Sequence, residues 1–151
     1  QRGCKMEESI KIEEAIAKAL KLEAVDPRTY SPLVLAYIGD AVYELLIRTK
    51  VINHGSMQVN KMHKKSASLV KAETQANIVK AIQDDLTEEE LAVYKRGRNA
   101  KSATTAKHAT MIDYRMATGF EALIGYLYLQ AQHDRLLDLI RDGLEKIGEL
   151  S

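Results

Sequence analysis

The sequence predicts one all-α domain, and three observations carry that prediction. Two prolines and eight glycines in 151 residues, against abundant Ala, Leu, Lys and Glu, favour helix over sheet. Apolar residues recur at helical spacing along most of the chain, and no stretch alternates as a half-buried strand does. No repeat or linker-like stretch divides it, and a chain of this length buries a substantial core.

The elements follow in order. Gln1–Lys5 read as a tail, and Glu8–Leu22 forms an amphipathic helix on Ile12, Ala15, Ile16, Ala19 and Leu20. Asp26-Pro27 breaks it. Ser31 as N-cap and Pro32 at the first helical position open a helix to about Lys50. Asn53-His54-Gly55 turns the chain. Residues 56 to 85 are helical, with room for two helices meeting near Lys65-Ser66, and Leu69, Ala72, Ala76, Val79 and Ile82 make a buried stripe. Thr87 and Glu90 form a capping box that starts a helix through Tyr94. Gly97–Ala109 is small, polar and basic and reads mostly as loop. A long helix spans Met111–Gln130, and His133-Asp134 marks a break. Leu136, Leu137, Ile140, Leu144 and Ile147 give the last helix its core face. The expected organisation is residues 1–30 as a tail and short helix, then 31–150 as the functional domain.

Composition narrows the function. The single cysteine, Cys4, makes no internal disulfide, and no uncharged run approaches the roughly 20 residues of a membrane span. A cytoplasmic protein without membrane association is expected. Net charge is only +1, but its distribution is uneven. Lys61–Lys71 holds four lysines and His63 without an acid, and Lys95–Lys107 is likewise purely basic. Such segregation suits a surface that attracts phosphate on one side. One Phe, no Trp and mostly helix-embedded tyrosines argue against reading single strands by stacking. His54, His63, His108 and His133 are scattered without metal-ligand spacing.

Two carboxylates break the apolar runs. Asp40 interrupts Leu33–Tyr43, and Glu121 interrupts Ala117–Leu129. Acids are almost never fully buried without a partner or cation. Gly39 and Gly125, close to them, allow another backbone to approach. A shared, buried polar pocket between two packed helices is expected, and magnesium, which favours oxygen ligands and keeps several waters, fits such a pocket. The plainer alternative is pairing with a buried arginine or lysine, or a polar subunit interface.

At these residues the chain resembles a known family. Tyr37-Ile38-Gly39-Asp40-Ala41-Val42 is similar to the signature helix of the ribonuclease III family, and Phe120-Glu121-Ala122-Leu123-Ile124-Gly125 to its second catalytic helix. His63-Lys64-Lys65-Ser66 and Lys95-Arg96-Gly97-Arg98-Asn99-Ala100-Lys101-Ser102 narrow the resemblance to the Mini-ribonuclease III branch, which lacks a double-stranded-RNA-binding domain. Four blocks in order, across about Leu33–Leu150, make the signal specific.

The resemblance implies a ribonuclease III-type helical endonuclease domain that cleaves double-stranded RNA with Mg2+, maturing the large-subunit (23S) ribosomal RNA precursor. It implies Asp40 and Glu121 as catalytic and metal-binding residues. It also implies a homodimer with signature helices about the two-fold, making Leu33, Val34, Tyr37 and Val42 interface candidates. A ribosomal protein or pre-ribosomal particle is among the partners it allows. Candidate RNA contacts are His63, Lys64, Lys65, Arg96, Arg98, Asn99, Lys101 and Lys107. Two family acids are missing, with Ala36 and Thr118 in their places. Glu44 and Thr118 are therefore candidate auxiliary groups, although a structural salt bridge is the plainer role for Glu44. The alternatives are an RNA-binding scaffold that has lost catalysis, or a helical protein-interaction domain.

Overall fold

The computed structural model describes residues 11–53, 55, 58–101 and 110–150, and among them there are helices and turns but no strand. Helix α1 spans Ile12–Leu20 and buries none of its residues. It is tied to the rest of the fold by polar contacts, Glu13 to His133 at 2.8 Å and Lys11 Nζ to the Ala131 carbonyl at 3.1 Å. A turn of 3-10 helix at Pro27–Thr29 follows, capped by Asp26.

Helix α2, Pro32–Ile52, begins as its sequence demands. The Ser31 hydroxyl accepts a hydrogen bond from the Val34 N–H, and Pro32 occupies a position where no N–H is needed. Leu35, Ala36, Gly39, Tyr43, Ile47 and Val51 form its buried face. α3, Val59–Val70, and α4, Ala72–Ile82, meet at Lys71 rather than near Lys65-Ser66. Extended backbone at Lys71 ends one helix and starts the next, so no glycine or proline marks the break.

Helix α5, Glu88–Asn99, opens on the expected capping box, Thr87 Oγ accepting from Glu90 N and Glu90 accepting from Thr87 N. It runs well past Tyr94 and through Gly97, where loop was expected. Gly97 lies flat against α6, Met111–Leu129: a Cβ on it would sit 2.9 Å from Gly119 Cα and 2.8 Å from Ala122 Cβ. Here the missing side chain serves helix packing and does not end the helix. α7, His133–Lys146, starts at the expected break rather than after it. Its core face includes Leu136, Leu139, Ile140 and Leu144, whereas Leu137 is exposed.

α6 is the axis of the fold, with α2, α4 and α5 all packed on it. Its middle, Ala117–Gly125, is buried except at Glu121. Tyr43 meets Phe120 edge to face, ring centroids 5.3 Å apart, and its hydroxyl donates to the Leu69 carbonyl at 2.8 Å. This contact ties α3 to the α2–α6 crossing. Arg135 on α7 binds buried Glu90 at 2.8 Å. Burial raises the Glu90 carboxyl, but Arg135 and the Thr87 backbone outweigh it and hold the group below its ordinary range.

Candidate active site

The site is built where α2 crosses α6, and two glycines decide how closely. A Cβ on Gly39 would lie 1.8 Å from the Glu121 carbonyl oxygen, and one on Gly125 would lie 2.0 Å from the Leu35 carbonyl oxygen. No side chain fits at either place, so the two backbones touch directly. The neighbouring residues Asp40 and Glu121 are thereby carried to the same edge of the crossing, close enough for Asp40 to act on the Glu121 carboxyl.

Burial differs from expectation. Glu121 is half-buried, but Asp40 is exposed. The apolar run around Asp40 misled because α2 is apolar on two faces, one in the core and one outward. Leu33, Val34, Tyr37 and Leu45 lie on the outward face, with Tyr37 82 % exposed. The acid pair sits at the rim between those faces, open to solvent and to a substrate.

The electrostatics follow from that placement. Burial first, then repulsion from Asp40, pushes the Glu121 carboxyl up to about 8, with partial relief from the Gln75 amide. Among the described residues no lysine or arginine forms an ion pair with either acid. Two like-charged carboxylates facing each other without a cationic side chain form a hard-oxygen donor pair suited to a divalent cation.

Gln75 escaped the sequence reading. It is 2 % exposed on α4, and its Nε2 donates to Glu121 Oε2 at 3.2 Å and to the Val70 carbonyl at 2.8 Å. A signal existed: Gln75 falls three residues after Ala72 and four before Val79, on the apolar stripe itself, where an amide needs a reason.

The auxiliary candidates are otherwise engaged. Glu44 pairs with Arg48 at 2.8 Å, one turn along α2. The Thr118 hydroxyl donates to the Tyr114 carbonyl at 3.0 Å within its own helix. Ala36 is buried and apolar.

The candidate RNA contacts divide between two helices. His63, Lys64 and Lys65 are exposed on α3, and Lys65 pairs with Glu149 at 3.1 Å. Arg96, Arg98 and Asn99 belong to the last turns of α5, with Lys101 just beyond; Arg98 lies over the Tyr94 ring at 5.7 Å. Because Gly97 touches Gly119 and Ala122, this basic end of α5 runs beside the stretch of α6 that carries Glu121. Lys107 lies outside the described residues, as do Ser102, Thr104, Thr105, His54 and His108.

Residues 33–132 match the ribonuclease III domain, a span that contains both acids and both basic segments. The Mini-ribonuclease 3 of Clostridium tetani is 54 % identical over 117 residues, covering 77 % of this chain and 78 % of that protein. That of Enterococcus faecalis is 46 % identical over 126 residues, covering 82 % and 96 %. A crystal structure of a Fusobacterium nucleatum protein superposes with a TM-score of 0.74 at 35 % identity, covering 84 % of this chain and all of the other. With an acid pair set by two glycines inside the matched span, and relatives this similar over most of their length, the chain belongs to the ribonuclease III family, in its Mini-ribonuclease 3 branch, and is an endoribonuclease.

Proposed function

We propose that the protein is a magnesium-dependent endoribonuclease of residues 31–150 that cuts double-stranded RNA, with Asp40 and Glu121 as its catalytic, metal-binding residues. The observation that carries this is the glycine-mediated crossing that brings the two acids together, with no ion pair to either among the described residues. Magnesium fits the donor set, since it binds through one or two carboxylates and otherwise retains water. When bound, it supplies an acidified water and charge neutralisation at the phosphoryl oxygens. Asp40, exposed at the rim, is placed to reach substrate and ion together; Glu121, half-buried, is the more firmly held of the two. With Ala36 and Thr118 adding no acid, the ion is bound weakly before RNA arrives.

Duplex RNA offers phosphates and 2′-hydroxyls, because its deep major groove excludes side chains. Arg96, Arg98, Asn99 and Lys101 on one side, and His63, Lys64 and Lys65 on the other, supply donors for them, with Lys107 extending the first group. Lys65 must leave Glu149 to take part. The outward apolar face of α2 supports a homodimer, since Leu33, Val34 and Tyr37 are exposed together along it. The RNA implied by the family is the 23S ribosomal precursor in the cytoplasm, met as part of a pre-ribosomal particle or with a ribosomal protein. No helix among the described residues is long and apolar enough to cross a membrane.

The test is incubation of the protein with duplex RNA, with and without magnesium. Cutting only with magnesium is expected. Binding without cutting at any magnesium concentration would replace the enzyme with an RNA scaffold, and failure to bind would point to a protein-interaction domain.

A further inference from the structure

We propose that Gln75 is the positioning residue of the acid pair: its amide, anchored on the end of α3, holds the Glu121 carboxylate opposite Asp40. This rests on the metal-dependent reading above and deepens it.

The geometry begins with the anchor. Val70 is the last residue of α3, so its carbonyl is among those a helix end leaves without a partner in its own helix. Gln75 Nε2 donates to it at 2.8 Å and to Glu121 Oε2 at 3.2 Å, so one NH2 group links a helix-end carbonyl to the carboxylate. The amide has only one workable orientation. Turned over, its oxygen would face the Val70 carbonyl, an acceptor with no proton to give.

Packing does not account for a glutamine here. Gln75 is 2 % exposed, and its Oε1 is buried without a hydrogen-bond partner among the described residues. An apolar side chain of similar length would fill the same space on α4 without that unmet acceptor. Positioning does account for it. Asp40 on α2 faces the Glu121 carboxyl, and among the described residues Thr118 is turned to the Tyr114 carbonyl and Ala36 has no polar side-chain group to hold it. Gln75 alone, among the described side chains, donates to Glu121 from a separate helix. Outer groups that orient ligands commonly matter 10- to 100-fold for metal affinity or activity.

The experiment uses Gln75→Met, which keeps length and loses the donor, beside Asp40→Asn and the wild type. Mg2+ is titrated into each protein calorimetrically without RNA, and kcat and KM are measured on a duplex RNA across a magnesium series. For Gln75→Met we expect Mg2+ affinity about 10- to 100-fold weaker, a kcat lowered at ordinary magnesium and recovering as magnesium rises, and an unchanged KM for RNA. In the wild type, the Gln75 side-chain amide resonances should shift on Mg2+ addition, and in Asp40→Asn they should not. That measurement decides the matter should Gln75→Met fail to fold: unmoved Gln75 signals at saturating Mg2+ in the wild type overturn the proposal. Wild-type Mg2+ affinity and kcat in a folded Gln75→Met, with both lost in Asp40→Asn, overturn the role of Gln75 and leave the metal site standing. Wild-type affinity and kcat in Asp40→Asn as well overturn the metal site itself.

Discussion

The α2–α6 crossing and the outer end of α5 both carry concentrated charge, yet they hold it in opposite ways. At the crossing, each carboxylate is borne by a helix whose backbone is pressed against another backbone, at Gly39 and Gly125. At the end of α5, the charges sit at the tips of long side chains: Arg96 is exposed, Lys101 is exposed, and Arg98 rests over an aromatic ring. Chemistry on a phosphate needs the first arrangement, because misplaced ligands cannot act together. Holding a phosphate backbone needs only the second, because attraction falls slowly with distance and the chain can reach. The comparison teaches that equal charge density need not mean equal sensitivity to mutation.

The largest effect should come from Asp40→Asn, which keeps shape and removes charge. A loss of several kcal/mol of transition-state stabilisation amounts to about a thousandfold in cleavage rate, with circular dichroism and RNA affinity close to wild type. Near-normal turnover in the folded variant would break the assignment of the crossing as the active site. Next is Gly39→Ala. One methyl group pressed against the Glu121 carbonyl should cost about 3 kcal/mol, the upper part of the usual overpacking range. The midpoint of thermal unfolding should fall by roughly 6–12 °C. A change within a degree or two would mean the helices separate more easily than their contact implies.

Glu121→Gln sharpens the comparison through pH. With the Glu121 carboxyl up at about 8, above the ordinary value of 4.5, the folded protein holds that proton more tightly than the unfolded chain does. Metal-free wild type should therefore lose stability as pH rises through the interval between those values, with the whole penalty present above about 8. Glu121→Gln removes this dependence. Without metal the variant should melt above wild type at pH 8, and the gap should close as pH falls toward 4.5. Magnesium should raise the wild-type midpoint and leave the variant nearly unmoved, while cleavage by the variant is lost. Identical melting profiles across pH would deny that burial and Asp40 raise the Glu121 carboxyl. The smallest effect belongs to Arg96→Gln. It should weaken RNA binding by a few fold, lower the slope of log affinity against log salt by about one unit or less, and leave melting within about 0.5 kcal/mol of wild type. An unchanged slope would show that this end of α5 does not touch phosphate.

Much of this could be read from local chemistry. Ser31-Pro32 and the Thr87–Glu90 pair are complete instructions within four residues, and both helices start where they say. Asp40 and Glu121 stood out from their surroundings before their helices were seen to meet. What stayed hidden depends on distant residues. Gly97 reads as an end of helix until Gly119 and Ala122, over twenty positions away, are laid against it. Asp40 reads as buried until α2 is seen to have an outward apolar face. Gln75 meets Glu121 across 46 residues, a pairing no local pattern encodes. Caps are local, whereas the exposure of a rim and the support of a carboxylate are properties of the packed helices.

The central place of α6 also bears on how the molecule breathes. A helix covered on three sides belongs to the last unit to open, so amide hydrogens from Ala117 to Leu127 should exchange with solvent only in global unfolding. α1, with nothing buried, should exchange almost at once. Fluctuations at the periphery can then admit, bend or release an RNA duplex while Glu121 stays on a unit that does not take part in them. A soft exterior around α6 would let the protein handle a large, stiff substrate while the candidate acid Glu121 rides on the segment expected to exchange most slowly.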